Sequence, residues 1–245
     1  MPSLEQMLVI AGAAEGSFFN NIDVRYKPSV ANEKSGLSFG IFQFDVSTND
    51  EAKAVFSSIL RQAEVDGRID ARTADRIYDQ AGRRNAGGMK NTPDWQMTKE
   101  LLATEDAQMV IDAATIKYAQ KKMLEYNSLI LQAKKVWESK ASKNSSLNCD
   151  LLIFKDGSKE NLHLFAYLLA NLNRYPKNKN VFQDWLEGKN VKTATGPATG
   201  FELKCPPGLD EMHKFFNSLR IWDGTQGQYK NLRDRLDPAL KTIGG

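Results

Sequence analysis

The sequence predicts a mainly α protein with one short β-hairpin near its start. Three observations lead there. Apolar residues recur at helical spacing over most of the chain, most clearly in LHLFAYLLANLN and from about Glu105 to about Lys140. Strand-like alternation is confined to Ser38–Phe44. The 245 residues, 41% hydrophobic and 26% charged, suit one globular domain with a sizeable core.

The elements follow in order. Ser3, Glu5 and Gln6 make a helix start, and Leu4, Met7, Leu8 and Ala11 give it an apolar face that runs to Glu15 and breaks at Gly16. Residues 20–50 carry Asn20, Asn21, Pro28, Asn32 and Gly36 and read as loop around the short hairpin. Asp50 to Ala81 reads as two helices, with stripes at Ala54, Val55, Ile59 and Leu60 and then from Ala71 to Gln80. The stretch between them, AEVDGRIDARTADRI, carries Glu64, Asp66, Gly67 and Ile69 at the offsets of a calcium loop. Gln62 and Thr73, however, stand where strong oxygen ligands are needed, so a turn leading into a capped helix is expected and no metal. Residues 82–97, GRRNAGGMKNTPDWQM, read as a mobile loop. The long helix is broken by SKNSSLN. The apolar helix from Glu160 to Asn173 is stopped by Pro176, Phe182–Leu186 reads as short helix, GKNVKTATGPATG reads as linker, and a last helical segment opens at Leu209.

Composition narrows the partners. A net charge of +3 and a pI near 8.7 are too mild to indicate nucleic acid, yet suit approach to an anionic polymer. No apolar run approaches the roughly 20 residues of a membrane helix, so no membrane insertion is expected. The start lacks a basic region and carries Glu5 and Glu15, so it reads as a helix of the working protein and not as a signal peptide. Cys149 and Cys205 lie far apart without metal-ligand spacing; two free thiols are the expectation, with pairing as the alternative for an exported chain. His163 and His213 are isolated from any triad or zinc arrangement.

The chemistry concentrates near the start. Glu15 ends the apolar run MLVIAGAAEGSFF, and SGLSFGIFQFD follows at 35–45. An apolar setting at Ala11, Ala13, Ala14, Phe18 and Phe19 would penalise a carboxylate and keep the acid protonated, as a proton donor to a glycosidic oxygen requires. Each residue also has a structural alternative: Glu15 as a solvated helix end, Asp45 and Glu33 as solvated or turn-capping acids, Asn173 as a helix cap. Gln43 needs hydrogen-bond partners, whether substrate or backbone. Trp95, Tyr167, Tyr175 and Trp185 could stack on sugar rings, though core packing is the default for aromatics.

Four segments in order resemble the lysozyme-like superfamily. AAEGSFF resembles the glutamate segment of goose-type lysozymes and soluble lytic transglycosylases, and SGLSFGIFQFD resembles their glycine-bracketed Gln hairpin. LLATEDAQMVIDAATIKYAQ and LANLNRYPKN resemble two later helical segments, so that residues 5–50 and 100–180 are covered. Leu172, Arg174-Tyr175 and Gly16 depart from that pattern. The resemblance implies a lysozyme-like helical domain over 1–245, its hairpin at the active-site cleft, with a helical insertion at about 50–97 and a C-terminal helical extension at about 190–245. It implies cleavage of β-1,4 bonds in peptidoglycan glycan strands with Glu15 as general acid. Ser38, Gln43, Asn173 and Tyr175 would be substrate-binding, and no cofactor would be needed. A weaker resemblance to family 46 chitosanases places Glu33 as the partner carboxylate. Glu33, Asp45 and Asp50 are thus the candidate second carboxylates for hydrolysis, and a lytic transglycosylase would need none of them. The non-enzyme alternative is a silent wall-binding or phage structural module. The place of action would be the periplasm or the extracellular wall. It would be reached by phage lysis, non-classical export or a secretion apparatus, with an immunity protein as partner if the chain is an injected toxin.

Overall fold

The computed structural model describes residues 1–15, 26–30, 35–143, 149–173, 178–191, 203–219 and 226–244. Among these the chain is mainly α: nine helices and one two-stranded antiparallel sheet. Its contacts form two compact units, Met1–Gly16 with Ala119–Gly245, and Ser17–Tyr118.

The first unit is built around an apolar helix. Helix α1 (Leu4–Glu15) starts in a reciprocal cap: the Ser3 hydroxyl accepts from the Gln6 N–H at 3.1 Å, and the Gln6 side chain accepts from the Ser3 N–H at 2.8 Å. Met7, Ile10, Ala11 and Ala14 of α1 are buried. The long helix α5 (Glu105–Lys143) contributes its C-terminal half. Helix α6 (Lys159–Leu172), capped by Ser158, is buried at every position from Asn161 to Leu172, the expected result for a helix apolar on all sides. Helices α7 (Lys179–Leu186), α8 (Leu209–Asn217) and α9 (Gln226–Thr242) complete the unit, with α1, α8 and α9 packing on α6. Trp185 of α7 stacks on Phe215 of α8 with ring centroids 4.1 Å apart, and Phe182, Phe216 and Tyr167 extend that cluster. Gly188 ends α7 with φ +73°, and a Cβ there would meet the Trp137 ring at 2.5 Å, so only glycine fits.

Cys149 and Cys205 form a disulfide, their Cα atoms 5.5 Å apart. This corrects the expectation of two free thiols. Their spacing in sequence carries no information about the fold that returns residue 205 to residue 149.

The second unit holds the hairpin. Strands β1 (Ser38–Phe39) and β2 (Phe44–Asp45) pair with Ser38 opposite Asp45, and an isolated bridge adds Ser29 beside Ser38. Phe39, Phe44 and Phe56 form the core behind it, and Tyr118 packs edge-on against Phe42 and Phe44. Helices α2 (Asp50–Val65) and α3 (Ala71–Gly82) are separated by the expected tight turn, and the Asp70 carboxylate accepts from the Thr73 N–H at 2.6 Å to cap α3. Asp66 accepts from the Gln62 side chain at 2.8 Å, and its carboxylate lies 3.3 Å from Arg68.

The 82–97 stretch departs from its reading as a loop. A 3-10 turn spans Ala86–Met89 and helix α4 (Pro93–Leu102) begins inside the stretch. Thr92 caps α4 through its hydroxyl, and Pro93 takes the first helical position, where a missing N–H costs nothing. Asp94, 8% exposed, then receives both nitrogens of the Arg76 fork at 2.8 and 2.9 Å and the Gln80 amide at 2.9 Å.

Candidate functional site

Glu15 is the last residue of α1, and its side chain lies outside the described residues. The end of its helix is held from a distance. Arg235 of α9 donates from Nε to the Ala13 carbonyl and from Nη2 to the Ala14 carbonyl, both at 3.2 Å. The last turn of a helix leaves its carbonyls without intrahelical donors, and a cation there also meets the negative end of the helix dipole. One guanidinium therefore fixes the two peptide carbonyls that precede Glu15. Arg235 flanks the buried face of α9, one turn from Leu232 on one side and from Ala239 on the other.

The hairpin residues are committed to one another. Gln43 lies in the turn and not in a strand, with φ +49°. Its amide is used at both ends: Ser29 Oγ donates to Oε1 at 2.7 Å, and Nε2 donates to the Gly40 carbonyl at 3.2 Å. Ser38 is 3% exposed and exchanges two backbone hydrogen bonds with Ser29, each 2.7 Å, so it is a packing position. Asp45 Oδ1 accepts from the Ser47 N–H at 2.7 Å, from the Ser47 hydroxyl at 2.6 Å and from the Gly36 N–H at 3.3 Å. Gly36 has no room for a side chain there, because a Cβ would meet Ser47 and the Ala81 carbonyl at under 3 Å. Asp45 thus closes the hairpin, its turn-capping alternative. Tyr26 lies beside this assembly and donates to Asp112 of α5 at 2.8 Å.

Asn173 is the C-cap of α6, its N–H donating to the Leu169 carbonyl at 3.0 Å. Glu33 and Tyr175 lie outside the described residues. Of the aromatics considered for sugar stacking, Tyr167 and Trp185 are fully buried and Trp95 is 8% exposed, so all three are core residues. The structure brings Ser38, Gln43 and Asp45 together on one hairpin in the second unit, and places the Glu15 main chain and Asn173 in the first.

No protein-family model matches this chain, and no curated protein or solved structure is significantly similar to it. The functional reading therefore rests on the residues themselves.

Three groups escape sequence reading. Arg235 sits 222 residues from Ala13, and nothing in its neighbourhood signals a helix cap. Ser29 is the partner of Gln43 only because a single bridge aligns it. The Arg76–Asp94–Gln80 cluster had a signal in Thr92-Pro93, which is an N-cap and first-turn pattern. Two cavities also lie outside the candidate residues. One of about 460 Å³ in the second unit is lined by Ile59, Ala63, Leu101 and Val110 with Arg68 and Asp106. The other, about 530 Å³, sits beside Cys205 among Asp150, Glu160, Asp210 and Glu211. Among the described residues no group of three or more His, Cys, Asp or Glu could hold a metal ion.

Proposed function

We propose that this protein cleaves the glycan strands of peptidoglycan at β-1,4 bonds, with Glu15 as the general acid. The observation that carries the reading is the α1 terminus. The helix is buried along Met7, Ile10, Ala11 and Ala14, ends on Glu15, and has the carbonyls before Glu15 clamped by Arg235. An acid that must deliver a proton to one oxygen benefits from a main chain held at that point. The mainly α architecture with a short hairpin and the four ordered sequence segments support the same reading.

The hairpin chemistry bears on the choice of base. The Asp45 carboxylate is bonded within its own hairpin, so Glu33 is the better base if water attacks. Asp50 is likewise engaged, 2.9 Å from Lys53. With two of the three candidate bases occupied within their own elements, the second reading is a lytic transglycosylase in which the sugar's own hydroxyl attacks. The wall polymer is the partner, at a periplasmic or extracellular site. The Cys149–Cys205 bridge suits such an oxidising place.

The test is turbidity clearing of purified cell walls. Glu15→Gln keeps the volume but cannot donate a proton, and is expected to lose about 10²–10⁴-fold in rate with circular dichroism unchanged. A variant that clears walls like the parent removes the assignment. Mass spectrometry of the released muropeptides separates the two mechanisms: reducing ends report hydrolysis and anhydro ends report transglycosylation. With hydrolysis, Glu33→Ala is expected to cost about as much as Glu15→Gln.

A further inference from the structure

Helix α5 carries an apolar stripe that faces solvent. Of the seven large apolar side chains exposed among the described residues, four lie on this helix: Met109 (60%), Ile116 (40%), Leu124 (65%) and Leu131 (46%). Ala113, Gln120 and Asn127 fill the positions between them. The steps from Met109 onward are four, three, four, four, three and four residues. That is two elevens, a period of about 3.67, so the stripe runs nearly straight along one face for about 33 Å. The alignment is a property of α5 alone.

The spacing of the stripe is symmetric about Gln120. Reversing the helix about that residue sets Met109 against Leu131, Ala113 against Asn127 and Ile116 against Leu124. The charges at its ends are complementary under the same reversal. Glu105 and Asp106 open the helix, and Lys134 and Lys135 lie the same distance beyond the centre. An antiparallel copy places Glu105 beside Lys135 and Asp106 beside Lys134, and does so twice by symmetry. Existing pairs do not oppose this. Asp106 reaches Arg68 only at 3.6 Å and Lys134 reaches Glu138 at 3.8 Å, both solvent-exposed contacts of little strength. An apolar stripe whose spacing and end charges are self-complementary about one point is what a two-fold interface requires.

We infer that α5 is a homodimerisation surface, its occupant a second copy of this chain lying antiparallel across the Met109–Leu131 stripe with Gln120 on the two-fold axis. The patch is modest, so association belongs in the micromolar range and not the nanomolar.

Sedimentation velocity on the full chain, from micromolar to millimolar concentration, is expected to show a monomer–dimer equilibrium. Leu124→Glu is expected to abolish it. Asp106→Lys alone is expected to weaken it at least tenfold, and adding Lys134→Glu is expected to restore it, which a merely structural lesion would not do. Cys149 and Cys205 are paired, so an added thiol reports cleanly. Gln120→Cys is expected to cross-link the dimer on oxidation. Asn127→Cys is expected not to, because two copies of residue 127 would stand about 21 Å apart along the axis. A chain that stays monomeric throughout overturns the inference and leaves the stripe to a different protein. A dimer indifferent to Leu124→Glu, or one that Asn127→Cys cross-links as readily as Gln120→Cys, overturns it as well.

Discussion

His163 shows how one side chain ties stability to pH. It is 6% exposed on α6, its ring centroid 6.4 Å from that of His213 on α8, and its Nδ1 has no hydrogen-bond partner among the described residues. Burial holds its pKa down, from 6.5 to about 4; Asp237 of α9 pulls it up, while His213, Lys159 and Arg233 push it further down. The unfolded chain takes up this proton near pH 6.5 and the folded protein only near pH 4. Stability contributed by the neutral ring is therefore complete above about pH 6.5 and is lost progressively as pH falls toward 4. The loss is on the order of 3 kcal/mol. Urea titrations at stepped pH are expected to show that slope, and His163→Gln to flatten it. A parent protein equally stable at pH 7 and pH 4.5 would contradict the burial argument.

At the scale of elements, the Arg76–Asp94–Gln80 cluster joins α3 to α4. The hydrogen bonds from Arg76 hold the Asp94 carboxyl below the usual carboxylate range. The depressed pKa means that its contribution is present above the ordinary carboxyl pKa and is lost as pH falls through the lower, folded value. Asp94→Asn is expected to cost about 1–3 kcal/mol near neutral pH, measured by chemical denaturation, and progressively less in acid. The same elements mark what sequence makes legible. α6 is readable because nine of the eleven residues from Leu162 to Leu172 are apolar or aromatic, and the α2–α3 turn because Asp70 and Gly67 are explicit signals. The start of α4 was hidden by the glycines and asparagines just before it, although Thr92-Pro93 announces a helix. α9 was not resolved as an element of its own, since only Leu232, Leu236, Ala239 and Leu240 mark its buried face in an otherwise polar segment. At the candidate site the position of Glu15 at a helix end was legible. The groups that act on that site from far along the chain, Arg235 on α1 and Ser29 on Gln43, depend on tertiary pairing that no local pattern encodes.

At the scale of the whole molecule, the Cys149–Cys205 bridge closes a loop between residues 56 apart. A loop of that length removes unfolded-state entropy equivalent to about 4 kcal/mol, a large share of the total stability of an ordinary protein. Reduction with dithiothreitol is expected to lower the thermal midpoint by about 10 °C, followed by calorimetry with and without reductant. An unchanged midpoint would mean that the unfolded chain is already compact there. The bridge has a further consequence for the organism that makes this protein. In a thiol-rich cytosol the unbridged chain would be the weaker form, more open to proteases. If the protein acts at the proposed place outside the cytosol, oxidation would complete it there. Maturation would then be coupled to crossing a redox boundary, and a wall-cutting activity would reach full durability only beyond its own producer's interior.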